Sequence, residues 1–265
     1  MSVHPEAHIH PTAIVDAGAV VGSGAEVGPF SVIGPEVTLG PGVVVKSHAV
    51  VTGATDVGEG TVIFPFASLG EIPQDLKFRG ERTRLVIGRR NRIREGVTMN
   101  TGTEGGGGVT RVGDDCLFMT GAHVGHDAQV GDRVIVANQS AIAGHCVIGD
   151  DVIIGGLVGI HQFVRIGRGA FIGAVAMVTN DVIPYGMVHA PRGELEGLNL
   201  VGLKRRGLAR EDIHALRAAY QTLAQGEGAF LDRARRLNDE TDNPFVREIA
   251  EFILADSGRS FLTPG

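Results

Sequence analysis

Tryptophan is absent from the 265 residues, tyrosine occurs twice and phenylalanine eleven times, so aromatic rings make up only 5% of the chain. The bulk of any core must therefore come from Val, Ile, Leu and Ala. Two cysteines, Cys116 and Cys146, are too few for a disulfide framework and point to a reducing compartment. No apolar run reaches the length of a membrane-spanning helix, so no stable membrane insertion is expected. The first twelve residues carry neither the basic nor the apolar region of a secretory signal, and a cytoplasmic location is expected. A net charge of −6 offers no basic surplus for nucleic acid. A hydrophobic fraction of 43% against 20% charged residues excludes a disordered chain. What abounds is glycine: 40 residues, roughly twice the usual share.

The glycines accompany a repeat. An aliphatic residue recurs every sixth position from Ile9 to Leu69, again at Ile87, Ile93 and Met99, and again from Val112 to Val178. The fifth position of each hexad is small, as at Ala13, Ser31, Ala67, Cys116 and Val164, with Pro73 and Asn91 as exceptions. The second is often Gly, as at Gly22, Gly88, Gly131 and Gly155. A period of six fits neither an amphipathic helix nor an alternating strand. It fits a coil with three flat sides, one hexad per side, first and fifth positions facing inward. Glycine at the second position is read as supplying the unusual backbone angles of the corners. The expected fold is a parallel β-helix of hexapeptide repeats over residues 1–190, about 40 Å long at the spacing of stacked strands.

Two segments break the period. Residues 71–86 form a polar insertion, and residues 104–111 contain the run Gly105–Gly108. Both read as loops thrown out of the prism. The glycine run is read as a flexible loop and not a phosphate cradle, because no GK[ST] follows it. The hexads stop at Pro184, and the segment to Gly207 looks irregular. Residues 191–265 are expected to form a C-terminal α-helical domain. One helix presents Ile213, Leu216, Tyr220 and Leu223, and a second carries Phe230, Leu231 and Leu237. A third opens on the cap pair Asn243–Pro244 and carries Phe245, Ile249, Phe252 and Ile253.

Ten histidines are many for this length. His123, His126, His145 and His161 occupy sixth, third, fourth and second positions, none of which faces inward. The hexads begun by Val124, Ile142 and Ile160 lie eighteen residues apart, so His126, His145 and His161 project from one side on three successive coils. Two chemistries use such a cluster. A neutral imidazole can take a proton from an attacking hydroxyl in acyl transfer, or three imidazoles can bind zinc. Asp127 can orient the His126 ring in either case, and Gly144 can aim a bare N–H at a developing oxyanion. Basic residues gather at Lys77, Arg79, Arg82 and Arg84, and again at Lys204, Arg205, Arg206 and Arg210. The second group suits a pyrophosphate or an acidic partner, and the alternative of a solvated helix start is opposed by the poor fit of Lys and Arg to a helix N-terminus. Cys116 and Cys146 sit at fifth positions and read as small core residues.

At these residues the chain resembles the UDP-N-acetylglucosamine O-acyltransferases of lipid A biosynthesis. The shared motifs run from end to end: HPTAIV (10–15), QDLK (74–77), RNRIRE (90–95), AHVGHD (122–127), LVGIHQF (157–163) and GLKRRG (202–207). The resemblance implies a left-handed coil and a homotrimer with active sites between subunits. It implies no cofactor and no metal. It implies a (3R)-3-hydroxyacyl group carried on acyl carrier protein as donor, and UDP-N-acetylglucosamine as acceptor. His126 matches the general base, Asp127 its orienting carboxylate and Gly144 the oxyanion donor. His123, His145, His161 and Gln162 match the lining of the sugar and acyl site. Asp75 and Lys77 match loop contacts to sugar and phosphates, Asn199, Arg205 and Arg206 match nucleotide contacts, and Ala174 a residue that tunes acyl length. Val201, Asn100–Thr101 and the segment 189–192 depart from the family pattern. The residues leave open the acyl length and whether the acceptor carries a hydroxyl or an amine at position 3.

Overall fold

Each hexad folds as a two-residue strand followed by a tight corner, as in Val20–Val21, Glu26–Val27 and Val32–Ile33. A computed structural model describes residues 2–255 and 259–263. Three hexads close one coil, and the strands stack into three parallel walls of nine, eleven and nine strands. The first wall begins at Ser2–Val3, the second at His8–Ile9 and the third at Ile14–Val15. Register advances by eighteen residues per coil in the regular part, as in Val124 beside Ile142 and Ile142 beside Ile160.

First-position residues such as Ile33, Leu39, Ile63, Phe118 and Ile142 are fully buried, and so are fifth-position residues such as Ala19, Ala49, Val97, Ala122 and Cys146. Asn91, one of the exceptions, is also fully buried. Its Nδ2 donates to the Gly113 carbonyl at 2.9 Å and its Oδ1 accepts from the Cys116 N–H at 2.8 Å, so the interior polar group is paired. Both cysteines are free and buried, and burial pushes each thiol up to about 12, as core residues and not nucleophiles.

The corners correct one reading. Left-handed backbone falls at the fourth position, at Phe30, Asp127, Arg133, His145 and Phe163, and not at second-position Gly22, Gly88, Gly131 or Gly155; Gly70, where the first insertion leaves the coil, is an exception. Second-position glycines serve clearance: a Cβ on Gly22 would lie 2.8 Å from the Gly40 carbonyl carbon, and one on Gly125 would lie 2.8 Å from the Gly144 nitrogen. The next coil passes too close for a side chain.

The helical end also differs in part from expectation. Residues 184–207 are ordered. Gly186–His189 and Glu194–Leu198 extend the second wall as a hairpin, and Leu200–Arg205 forms a short helix, α1. Asn199 caps α1, and Lys204 and Arg205 lie in its last turn, where cations are favoured. The basic run therefore ends a helix instead of starting one. Helices α2 (Arg210–Gln225), α3 (Phe230–Glu240) and α4 (Pro244–Leu254) follow. Ile213, Leu216 and Leu223 are buried on α2 as expected. On α3 the buried residue is Ala234, whereas Leu231 faces solvent and Phe230 and Leu237 are partly buried. The Asn243 side chain accepts from the N–H groups of Phe245 and Val246, the expected cap of α4.

Candidate active site

The corner between the third and first walls carries the histidines. His126 lies just past the strand His123–Val124, at the third position of its hexad, and Asp127 takes the left-handed fourth position. Asp and His tolerate that backbone better than most side chains. Position four of the next two coils is His145 and Phe163, so the corner stacks Asp127, His145 and Phe163 in a column. The His145 ring lies flat on Phe163, centroids 4.4 Å apart, and edge-on to His126 at 4.9 Å.

His126 and Asp127 are buried, their side chains only 9% and 1% exposed. The 102–110 segment folds over Asp127, and His145 and Gly144 pack against His126. His126 Nδ1 lies 2.8 Å from Asp127 Oδ2. A carboxylate only accepts, so Nδ1 carries the ring proton and Nε2 keeps its lone pair in the neutral ring. The Nε2 edge lies over Gly144, where a Cβ would sit 2.6 Å from Nε2 and Cε1. Among the described residues no backbone carbonyl accepts from the Gly144 N–H, and Gly125 leaves that nitrogen uncovered. An imidazole Nε2 edge and a backbone N–H with no carbonyl partner thus sit side by side.

Two neighbouring imidazoles, His123 and His145, are shifted toward the neutral form. His123 pairs its Nδ1 with the Thr98 hydroxyl at 2.8 Å, and burial together with the neighbouring His126 keeps its pKa below the usual value. His145 is lowered chiefly by burial, with the Asp127 carboxylate pulling the other way. Asp75 and Lys77 also act on His145 through their charges, so the 72–83 loop of the same chain reaches this corner. Asp75 Oδ1 accepts from the Lys77 N–H at 2.9 Å, which turns the loop tip. The departure at Asn100–Thr101 anchors that loop: Asn100 Nδ2 donates to the Ile72 carbonyl and Thr83 bonds Thr101.

His161 and Gln162 stand exposed on the third coil, and Arg259 donates to His161 Nδ1 at 2.7 Å. Sequence reasoning missed Phe163, although the eighteen-residue column that found the histidines also contains it. It missed Arg259, which reaches the corner from the far end of the chain with no periodic signal.

Asn199, Arg205 and Arg206 lie elsewhere. They line a cavity of about 590 Å³ between the start of the helical region and the second wall, floored by Ile135, Ile153 and Phe171. Asn199 is buried, with its Oδ1 accepting from the Gly202 N–H and its Nδ2 donating to the Gly169 carbonyl. The Arg206 guanidinium packs over Gly169 and the Tyr185 ring, and Val201 lies on the rim. Ala174 is exposed at the corner between the second and third walls, beside Val175 and near Leu157. One chain therefore gathers Asp75, Lys77, His123, His126, Asp127, Gly144 and His145 at one corner, but leaves the Asn199–Arg206 group on a different wall.

His126, Asp127 and His145 bring possible ligand atoms within 4.8 Å of one another. The donor set fits a metal poorly. Asp127 Oδ1 already accepts from the Thr103 N–H, Oδ2 accepts from the Thr103 hydroxyl and His126, and His126 Nδ1 is spent on Asp127.

A hexapeptide solenoid with a buried His–Asp pair beside a bare glycine N–H defines an acyltransferase of the hexapeptide-repeat class. The family model for the bacterial transferase hexapeptide matches residues 18–53 and 110–144, and the one described as UDP N-acetylglucosamine O-acyltransferase, domain 2, matches residues 181–262. An acyl-[acyl-carrier-protein]–UDP-N-acetylglucosamine O-acyltransferase of Paracoccus denitrificans is 68% identical over 204 residues, 77% of either chain. The protein of the same name from Caulobacter vibrioides is 54% identical over 84% of this chain and 85% of its own. The crystal structure of a UDP-N-acetylglucosamine acyltransferase superimposes with a TM-score of 0.94 at 42% identity, covering 97% of this chain and 99% of the other. The Campylobacter jejuni enzyme gives 0.91 at 32%, with the same coverage. The chain belongs to the UDP-N-acetylglucosamine O-acyltransferase family, is an O-acyltransferase, and its coil is the left-handed parallel β-helix.

Proposed function

We propose that this enzyme transfers a (3R)-3-hydroxyacyl chain from acyl carrier protein to the 3-hydroxyl of UDP-N-acetylglucosamine, the first step of lipid A biosynthesis. The relatives' names supply the acyl-carrier donor and the nucleotide sugar. The observation that carries the mechanism is the hydrogen bond from His126 Nδ1 to Asp127, with the Nε2 edge facing Gly144. Nε2 takes the sugar hydroxyl proton as oxygen bonds to the thioester carbon. The Gly144 N–H stabilises the resulting oxyanion. Collapse breaks the C–S bond, and the imidazolium returns its proton to the leaving thiolate. Asp127 offsets the positive charge that the ring holds between the two transfers.

His123, His145, His161, Gln162, Asp75 and Lys77 surround this centre as sugar, phosphate and acyl contacts. Exposed Met177, Leu157 and Val175 run across the third wall toward Ala174 and give the acyl chain an apolar track. A methyl at residue 174 adds bulk at the end of that track and limits chain length. The nucleotide is assigned to Asn199, Arg205 and Arg206. They lie on the second wall, and the histidines on another corner, so a complete site needs a neighbouring copy; a homotrimer supplies it. No helix among the described residues is long and apolar enough to cross a membrane, which suits work on a cytoplasmic carrier protein.

Mass spectrometry of the product from UDP-N-acetylglucosamine and a mixed set of 3-hydroxyacyl carrier proteins tests the reaction. The expected product is a single 3-O-acylated sugar nucleotide. An N-acylated product, or none, contradicts the proposal.

A further inference from the structure

We propose that the glycine-rich loop from Gly102 to Thr110 is the buttress of the Asp127 carboxylate, with Thr103 as a positioning residue. The inference rests on the general-base reading of His126. The loop is no loose excursion. The Thr103 N–H donates to Asp127 Oδ1 at 2.8 Å, and its hydroxyl donates to Oδ2 at 2.6 Å. Oδ2 is also the oxygen that accepts from His126 Nδ1. Two donors on one carboxylate oxygen divide its lone pairs, so the Thr103 hydroxyl dictates which direction remains for the imidazole.

The rest of the loop fixes the Asp127 backbone and crowds its carboxylate. The Asp127 N–H donates to Thr110 Oγ1 at 2.7 Å, and Gln129 Nε2 bridges the carbonyls of Val109 and Asp127. A Cβ on Gly106 would fall 2.1 Å from Asp127 Cγ, and one on Gly102 would fall 2.7 Å from Oδ1. Neither glycine has left-handed backbone angles, so both serve clearance alone. The bare backbone descends onto the carboxylate and replaces water. In that dry setting the fixed donors hold Asp127 in one rotamer, and its bond to the imidazole is stronger than in solvent.

Three variants test the buttress. In Thr103→Val, kcat should fall about tenfold, the scale of one hydrogen bond to a charged group, with KM for both substrates unchanged. Thr103→Ser should restore kcat to within about twofold of wild type. Gly106→Ala should lower kcat in the wild-type background and cause no further loss in an Asp127→Ala background, where the added methyl meets empty space. Wild-type kcat in Thr103→Val, a loss that Thr103→Ser does not rescue, or an equal Gly106→Ala penalty in both backgrounds would overturn the proposal. His126→Ala in the same assay separates the two readings. If it is inactive while Thr103→Val is unimpaired, only the buttress fails; if it is fully active, the base assignment fails and the buttress with it.

Discussion

Two corners of the same prism use the same backbone for opposite ends. At the corner between the first and second walls, Asp114, Asp132 and Asp150 stack coil upon coil. Each carboxylate accepts a backbone N–H from the coil before: Arg89 to Asp114 at 2.7 Å, Asp114 to Asp132 at 2.8 Å, and Asp132 to Asp150 at 3.0 Å. Exposed guanidiniums flank the ladder: Arg89 and Arg90 pair with Asp114, and Arg133 with Asp150. At the corner between the third and first walls the aspartate is Asp127, one residue later in its hexad at the left-handed fourth position, where a loop covers it and an imidazole takes one of its oxygens. Charge that only ties coils together can stay in water, where each pair contributes little. Under the proposed mechanism the Asp127 charge steers a proton, and it is dried and aimed. The solenoid supplies both positions, and an insertion outside the repeat covers one of them.

That contrast breaks in a definite order. Below the loss expected for His126 itself comes Asp127→Asn, which keeps the shape but removes the charge facing the imidazole. Turnover should fall about 10- to 100-fold, the scale of a hydrogen bond to a charged group, with substrate affinity retained. Gly144→Ala is next: its methyl meets the imidazole at 2.6 Å and must displace the ring, for roughly a tenfold loss in steady-state turnover. Smallest is Asp114→Asn on the other corner, where turnover should not change.

The Asp114 effect should be confined to stability and to pH. The Arg89 N–H, and then its guanidinium, hold the Asp114 carboxyl below the usual range. A depressed folded value means the stabilisation is present above the ordinary aspartate pKa of about 3.9 and is lost as pH falls through the folded value. Melting curves should show Asp114→Asn about 2 °C below wild type at pH 7, with the gap closing in strong acid. A gap that widens on acidification would contradict the assignment.

Much of this was legible in the sequence because the repeat is rigid. Hexad counting places His126, His145 and His161 on one wall, and the structure puts their strands in one sheet. The same counting assigns Cys116 and Cys146 to the core, and capping preferences assign Asn243–Pro244 to a helix start, as found. What escaped lies outside the period. The Gly105–Gly108 run read as flexible because nothing in its composition shows that Asp127 lies beneath it. Second-position glycines were assigned to backbone angles because clearance between coils depends on a neighbour eighteen residues away. Hairpin residues 186–198 and helix α1 looked irregular, since neither carries a hexad and α1 spans only six residues. The separation of Arg205 and Arg206 from the histidines is a property of three walls, which no linear spacing displays.

The most direct measurement is the turnover of His126→Ala, with UDP-N-acetylglucosamine and a 3-hydroxyacyl carrier protein both saturating. Loss of a positioned acid–base group predicts a fall of at least about a hundredfold while the melting temperature stays near that of wild type. Turnover within a few-fold of wild type would show that another group takes the proton, and would contradict the role assigned to this corner.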